Sequence, residues 1–207
     1  MPLIKGKSAT PTSAAPDADG IAKAISSGTV DERWAAARAA AELPSGVGIL
    51  DRALATEAEP RVREAIFTGL ARIRTPASAA VAAPYVRSDD SGMRTGALDA
   101  LRAMPEATAP HLPGLLRDAD ADVRLLACEL VRNQPSEAAN QLLATLLAAE
   151  PEANVCAAAI EVLAEIGDSS VLPVLAKCAA RFPVDPFLGF AIGMARDRIG
   201  SQVSSRG

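Results

Sequence analysis

The sequence predicts an all-α fold: a right-handed α-solenoid, or α-α superhelix, of about five helix pairs with capping helices. Three observations predict it. A short signature returns about every 30 residues, the composition is rich in alanine and poor in aromatics, and turn residues recur at matching places between apolar stripes.

The signature is clearest in three segments. Glu59-Pro60-Arg61-Val62-Arg63 is followed by Ala65, Ile66 and Leu70. Asp90-Ser91-Gly92-Met93-Arg94 is followed by Ala97, Leu98 and Leu101, and Asp120-Ala121-Asp122-Val123-Arg124 by Ala127, Cys128 and Val131. Arg63 and Arg94 are 31 positions apart, Arg94 and Arg124 are 30 apart, and Arg33 lies 30 before Arg63 with Ala36, Ala37 and Ala40 at the same offsets. Cys156 stands in the arginine's place 32 positions after Arg124, followed by Ala159, Ile160 and Leu163. One more step reaches Phe187-Leu188, Ala191, Ile192 and Ala195, which predicts a lone capping helix; at the other end a short capping helix is expected over Ile21 to Ile25. Measured from the arginine, the apolar residues fall at −1, +3, +4 and +7, so each segment is a helix with one buried stripe.

A second helix follows each signature helix. These run through Ile49, Leu50 and Leu54; Val81, Tyr85 and Val86; Leu112, Leu115 and Leu116; Leu142, Leu143, Leu146 and Leu147; and Val171, Leu172, Val174 and Leu175. Breakers separate the two helices of a pair: Pro44-Ser45-Gly46, Thr75-Pro76, Met104-Pro105, Gln134-Pro135 and Gly167-Asp168. A pair this short buries its stripe only against its neighbours, so the units are expected to stack.

Composition agrees. Of 207 residues 49% are hydrophobic but only 3% are aromatic, so the apolar content is mostly Ala, Leu, Val and Ile. Alanine is the best helix former, whereas sheets lean on aromatic and β-branched residues, and no period-2 alternation persists. The expected organisation is a disordered tail over 1–17, a repeat domain over 18–200 and a second disordered tail over 201–207.

The charge of −4 supplies no cationic footprint for phosphate, so no nucleic-acid partner is expected. No apolar run has membrane-spanning length without charge or proline, so no membrane partner is expected either. Cys128, Cys156 and Cys178 are odd in number and form no Cys-x-x-Cys pair. They read as buried thiols in a reducing, cytoplasmic setting, with an approach of Cys128 to Cys156 left open.

The Asp-x-x-Val-Arg start, followed by Ala, Leu and a Gly- or Pro-marked turn, resembles the HEAT-like repeat of the phycobilisome-lyase type over about residues 28 to 200. That wider group includes signalling adaptors, bilin lyase subunits, DNA-alkylation repair proteins and a di-iron hydroxylase. The di-iron members carry several His-Glu pairs, and this chain has one histidine, His111. The repair members use a basic, aromatic-lined groove, and this chain has only Trp34 and Tyr85 besides its phenylalanines, with an acidic charge. The resemblance therefore implies a HEAT-repeat scaffold for another protein, in bacterial signalling or complex assembly, and not an enzyme. The alternative it implies is a subunit of a bilin-lyase-like cofactor-attachment factor.

No nucleophile elbow, P-loop or dinucleotide fingerprint occurs, so no catalytic residue, metal ligand or cofactor is assigned. His111, in Ala-Pro-His-Leu-Pro-Gly, reads as a partly exposed residue at a helix start. Two sets of charged residues stand out. Arg33, Arg63, Arg94 and Arg124, with Asp90, Asp120 and Asp122, fit a structural ladder in which the acids cap helices and the arginines reach the next unit. Arg72, Arg102 and Arg132 recur every 30 positions, and Arg87 and Arg117 are also 30 apart, with Arg181 in a similar place. They serve either as cations at helix C-termini or as a row that grips an acidic or phosphorylated protein surface. Phe182, Phe187 and Phe190 are expected to seal the last unit; left exposed, they would mark a partner or dimer surface. The expected assembly is a monomer or a weak homodimer.

Overall fold

The computed structural model describes residues 17–204. Among these the secondary structure is entirely helical. The cap α1 (Ala18–Ser27) is followed by five helix pairs. Their first helices are α2 (Val30–Ala40), α4 (Pro60–Ile73), α6 (Ser91–Ala103), α9 (Ala121–Val131) and α11 (Ala153–Ile166). The second helices are α3 (Gly46–Leu54); α5 (Pro76–Ala82), continued as a 3-10 turn; α7 (Pro105–Thr108) and α8 (Leu112–Leu115), joined by a 3-10 turn; α10 (Ser136–Ala149); and α12 (Leu172–Arg181). The last helix, α13 (Pro186–Ser204), runs past the boundary expected at 200. The remainder of the expected tails, 1–16 and 205–207, lies outside the described residues.

Local chemistry sets the helix ends. Thr29 and Glu32 form a reciprocal capping box at α2, and Asp90 accepts the backbone N–H groups of Gly92 and Met93 at α6. Pro60, Pro76 and Pro105 open α4, α5 and α7, where a missing N–H costs nothing. Within the third unit Pro110 and Pro113 break the second helix into short pieces.

The first helices pack in a row, each against the one before and the one after, from α1 to α13. The core follows that row: Ala37, Ala40, Val62, Ile66, Leu70, Ala97, Leu101, Ala127, Val131, Ile160 and Leu163 are all fully or almost fully buried. These are the residues at the repeating offsets. Second helices fill the other side through Leu50, Val86, Leu112, Leu143, Leu147 and Leu175. The row is uneven, since α6 and α9 meet less extensively than the other neighbouring first helices. At one point packing demands glycine: a Cβ on Gly96 of α6 would lie 2.4 Å from the ring of Phe67 of α4.

Candidate protein-interaction surface

The signature arginines sit at the loop edge of the array. Each reaches a backbone carbonyl in the loop before its own helix: Arg33 to Gly28 (2.9 Å), Arg63 to Glu57 (2.6 Å), Arg94 to Ser88 (2.6 Å) and Arg124 to Asp118 (2.8 Å). Three also bind a carboxylate further along. Arg33 grips Glu57 with two N–H groups (2.8 and 3.2 Å), Arg63 binds Asp90 (2.8 Å), and Arg124 grips Glu150 with two (both 2.8 Å). Among the described residues Arg94 makes no such pair. Asp120 caps α9 by accepting the Asp122 N–H (2.9 Å), and the Asp122 side chain joins no arginine.

Glu57 and Glu150, which end two of these bridges, and Asp118, which binds Arg87, were not singled out by the signature. Glu57, Asp118 and Glu150 each stand three residues before the next first helix, and each accepts the backbone N–H two residues on (2.9, 3.0 and 3.0 Å). Ser88 fills that place in the third unit. Without a carboxylate there, Arg63 turns to Asp90. Burial pushes the Glu57 and Glu150 carboxyls up, but the guanidinium and backbone donors outweigh it and hold both below the usual carboxylate range. The backbone N–H of Asp120 and then Arg87 do the same for Asp118.

In the fifth unit, where Cys156 replaces the arginine, its thiol donates weakly to the Glu150 carbonyl (3.6 Å). Arg181 of α12 supplies the missing guanidinium, donating to the carbonyls of Ala148 (2.7 Å) and Glu150 (3.1 Å). The Cys156 sulfur also accepts weakly from Arg181 (3.9 Å), and Cys178 and Cys128 lie close by; all three thiols are buried. Burial pushes Cys128 and Cys156 up to about 12, far from a reactive thiolate at neutral pH.

The second arginine set is largely engaged by the chain itself. Arg72 binds Glu42 of the preceding unit (2.6 Å), Arg102 binds Asp99 on its own helix (3.0 Å), Arg132 binds Glu129 and, on α11, Glu161 and Glu165, and Arg87 binds Asp118. Arg61 pairs with Asp31 (2.6 Å) and, like Arg38, stacks on Trp34 at just under 5 Å. The outer face of the first helices is thus neutralised across unit boundaries. Arg117 differs: it is exposed, and among the described residues its guanidinium makes no ion pair or hydrogen bond.

Arg117 borders a cleft of about 950 Å³ between the second helices of the third and fourth units. Its apolar wall is Pro113, Leu116, Leu142 and Leu146, with Gln141 and Thr145 at the rim. The cleft opens where the units stack most thinly. Among the described residues no group of three His, Cys, Asp or Glu side chains converges to hold a metal ion, and no helix is long and apolar enough to cross a membrane. His111 is half-buried in the 3-10 turn before α8.

A family description of HEAT repeats matches residues 108–186, the stretch that contains this cleft. The matched segment runs from within the second helix of the third pair through the fourth and fifth pairs, and the same helix–turn–helix unit occurs in the pairs before it. Among solved structures, two engineered proteins from a structural genomics consortium align with 88% of this chain at 20% identity, covering 96% and 98% of their own lengths with TM-scores of 0.44 and 0.47. A designed armadillo repeat protein aligns with 87% of this chain and 98% of its own at 15% identity and a TM-score of 0.43. No curated protein matches the chain.

The phenylalanines correct the sequence reading. Phe182 is half-buried, but Phe187 and Phe190 stand in solvent, because Leu188, Ile192, Ala195 and Ile199 are the face of α13 that packs on α11.

Proposed function

We propose that this chain is a non-catalytic protein-interaction scaffold of a bacterial signalling system or another multiprotein assembly, working in the cytoplasm. Its HEAT segment holds a partner's segment in the cleft beside Arg117. HEAT and related solenoids are extended stacked surfaces, and such arrays bind along a face. The observation that carries the reading is the pairing of an apolar wall with one uncommitted guanidinium, on a molecule whose other row arginines are bound to its own acids. The cleft follows α10 from Ala138 to Ala149, roughly 17 Å at 1.5 Å per residue, room for about three turns of an amphipathic helix. Its occupant carries apolar side chains for Leu116, Leu142 and Leu146 and a carboxylate or phosphate for the planar fork of Arg117.

The test is a native pull-down with the full chain and with the variant Arg117→Glu/Gln141→Glu/Thr145→Glu, all three at exposed positions. A protein recovered by the wild type and lost with the variant supports the cleft. Recovery by both places binding elsewhere, and recovery of nothing overturns the reading.

A further inference from the structure

The first helices leave a groove of about 610 Å³ on their outer face, shared by α9, α11 and α13. In the row α11 stands between α9 and α13, so α11 is the floor and its neighbours are the walls. Ala157 and Ala158 keep the floor low, while Leu125 rises on α9 and Phe187, Phe190 and Met194 rise on α13. Phe187 and Phe190 are 70% and 68% exposed. Neither ring serves the core, because α13 packs on α11 through Leu188, Ile192, Ala195 and Ile199. An apolar groove with two rings in water marks a binding surface. It lies on first helices, whereas the cleft beside Arg117 lies between second helices.

Charge says what chemistry fits it. Towards the C-terminal ends of α9 and α11, Glu129, Glu161 and Glu165 share one guanidinium, that of Arg132. On α13, Arg198 lines the groove, and Asp197 follows Phe190 by seven positions on the same side of the helix. Four carboxylates against two guanidinium groups leave this end acidic. The occupant is therefore apolar at one end and cationic at the other.

The chain itself contains such a segment, outside the described residues. Within 1–16 the only large apolar side chains are Met1, Leu3 and Ile4, and Lys5 and Lys7 follow at once, two of the chain's four lysines. Residues 8–16 are Ser, Ala, Thr and Pro alone, a neutral spacer.

We propose that residues 1–7 of one copy dock in the α9–α11–α13 groove of another. Pro2 and Gly6 oppose a helix, so the segment binds extended, with Leu3, Lys5 and Lys7 on one side at intervals of about 6.7 Å. Ala157, Glu161 and Glu165 follow one another along α11 at intervals of about 6 Å, so the two series run in step. Leu3 meets Phe187 and Leu125, and the lysines meet Glu161 and Glu165. The groove belongs to a second copy because its own segment falls short of it. From α1 to α11 the row takes five steps of about 9 Å, roughly 45 Å in all. The ten residues from Lys7 to Asp17 span at most about 35 Å. The contact is head to tail: each copy in it still has a segment or a groove to offer, to a third copy or back to the first.

The probe is a synthetic peptide of residues 1–10 with a C-terminal fluorophore. The receptor is the full chain carrying Leu3→Asp/Ile4→Asp, whose own segment no longer competes. Fluorescence anisotropy rises over about 1–500 µM receptor, as suits a contact far smaller than a standard interface. Adding Phe187→Asp/Phe190→Asp to the receptor weakens binding at least about tenfold while its thermal melt stays unchanged, since both rings are already in water. A Lys5→Glu/Lys7→Glu peptide also binds at least about tenfold more weakly, and added salt narrows that gap. In sedimentation velocity the wild type forms dimers or longer head-to-tail species as its concentration rises, and Leu3→Asp/Ile4→Asp removes them. A peptide that does not bind, or that binds the Phe187→Asp/Phe190→Asp receptor equally well, overturns the proposal. So does a wild type that stays monomeric up to about 500 µM.

Discussion

Replacing Arg124 by alanine tests whether the loop-edge bridges hold the stack together. Arg124 and Glu150 side chains are 11% and 3% exposed, and two N–H groups of the guanidinium meet the two carboxylate oxygens at 2.8 Å. Arg124→Ala leaves Glu150 buried with a single backbone donor, the N–H of Glu152. Removing one partner from a buried pair costs about 3–5 kcal/mol, because the remaining charge is uncompensated. Arg94 occupies the equivalent place one unit earlier, but among the described residues its side chain makes only the carbonyl bond to Ser88. Arg94→Ala should therefore cost only about 1–2 kcal/mol. The gap of about 2 kcal/mol is roughly thirtyfold in the folded-to-unfolded ratio. Urea titration followed by circular dichroism reads it as a difference in midpoint at unchanged slope. The pH dependence adds a second check. The Glu150 carboxyl is held below its usual range in the folded wild type, so its contribution is complete at neutral pH and is lost as the pH falls through that lowered value. The wild type's advantage over Arg124→Ala should thus be largest near pH 7 and shrink on acidification. Equal midpoints for the two variants, within about 0.5 kcal/mol, would refute the argument.

Other outcomes follow from single positions. Buried Cys128 and Cys156, pushed up to about 12, and buried Cys178 should not react with a disulfide reagent at pH 8 in the native protein, and all three should react in denaturant. Gly96→Ala should destabilise by about 1–3 kcal/mol despite its better helix propensity, because its Cβ would sit 2.4 Å from the Phe67 ring. Gly114→Ala, with nothing within 4 Å, should instead stabilise by about 0.5–1 kcal/mol; thermal melts of the two should move in opposite directions. Arg74 ends α4 in the left-handed region at φ 54°, so Arg74→Gly should raise the urea midpoint by the equivalent of about 0.5–1 kcal/mol.

The repeat was legible because stacking leaves a periodic trace. Ala36, Ile66, Ala97, Ala127 and Ala159 fall at one offset from the signature position because each occupies the same buried place in its unit. The bridge acids were harder to see. Glu57, Ser88, Asp118 and Glu150 recur at 31, 30 and 32 positions, but the residue type changes and the loops lack the apolar stripe that marks the helices. Arg181 could not be read as the stand-in for the missing arginine at 156, since it arrives from a different helix. The engagement of Arg72 and Arg132 with acids of neighbouring units also depends on how adjacent helices face each other, which spacing along one helix does not encode. Similarly, the periodicity placed an apolar stripe on α13 but not its second one, because Phe187 and Phe190 flank Leu188 too closely in sequence to show which side is buried.

The central claim is that each helix pair is stable only against its neighbours. Native-state hydrogen exchange tests it most directly, because it resolves the opening free energy of each helix in turn. In a nearest-neighbour row the amides of α4, α6, α9 and α11 open at the highest cost, protection falls towards α1 and α13, and exchange below the global transition proceeds from the ends inward. A single opening free energy shared by every helix from α1 to α13 would contradict it.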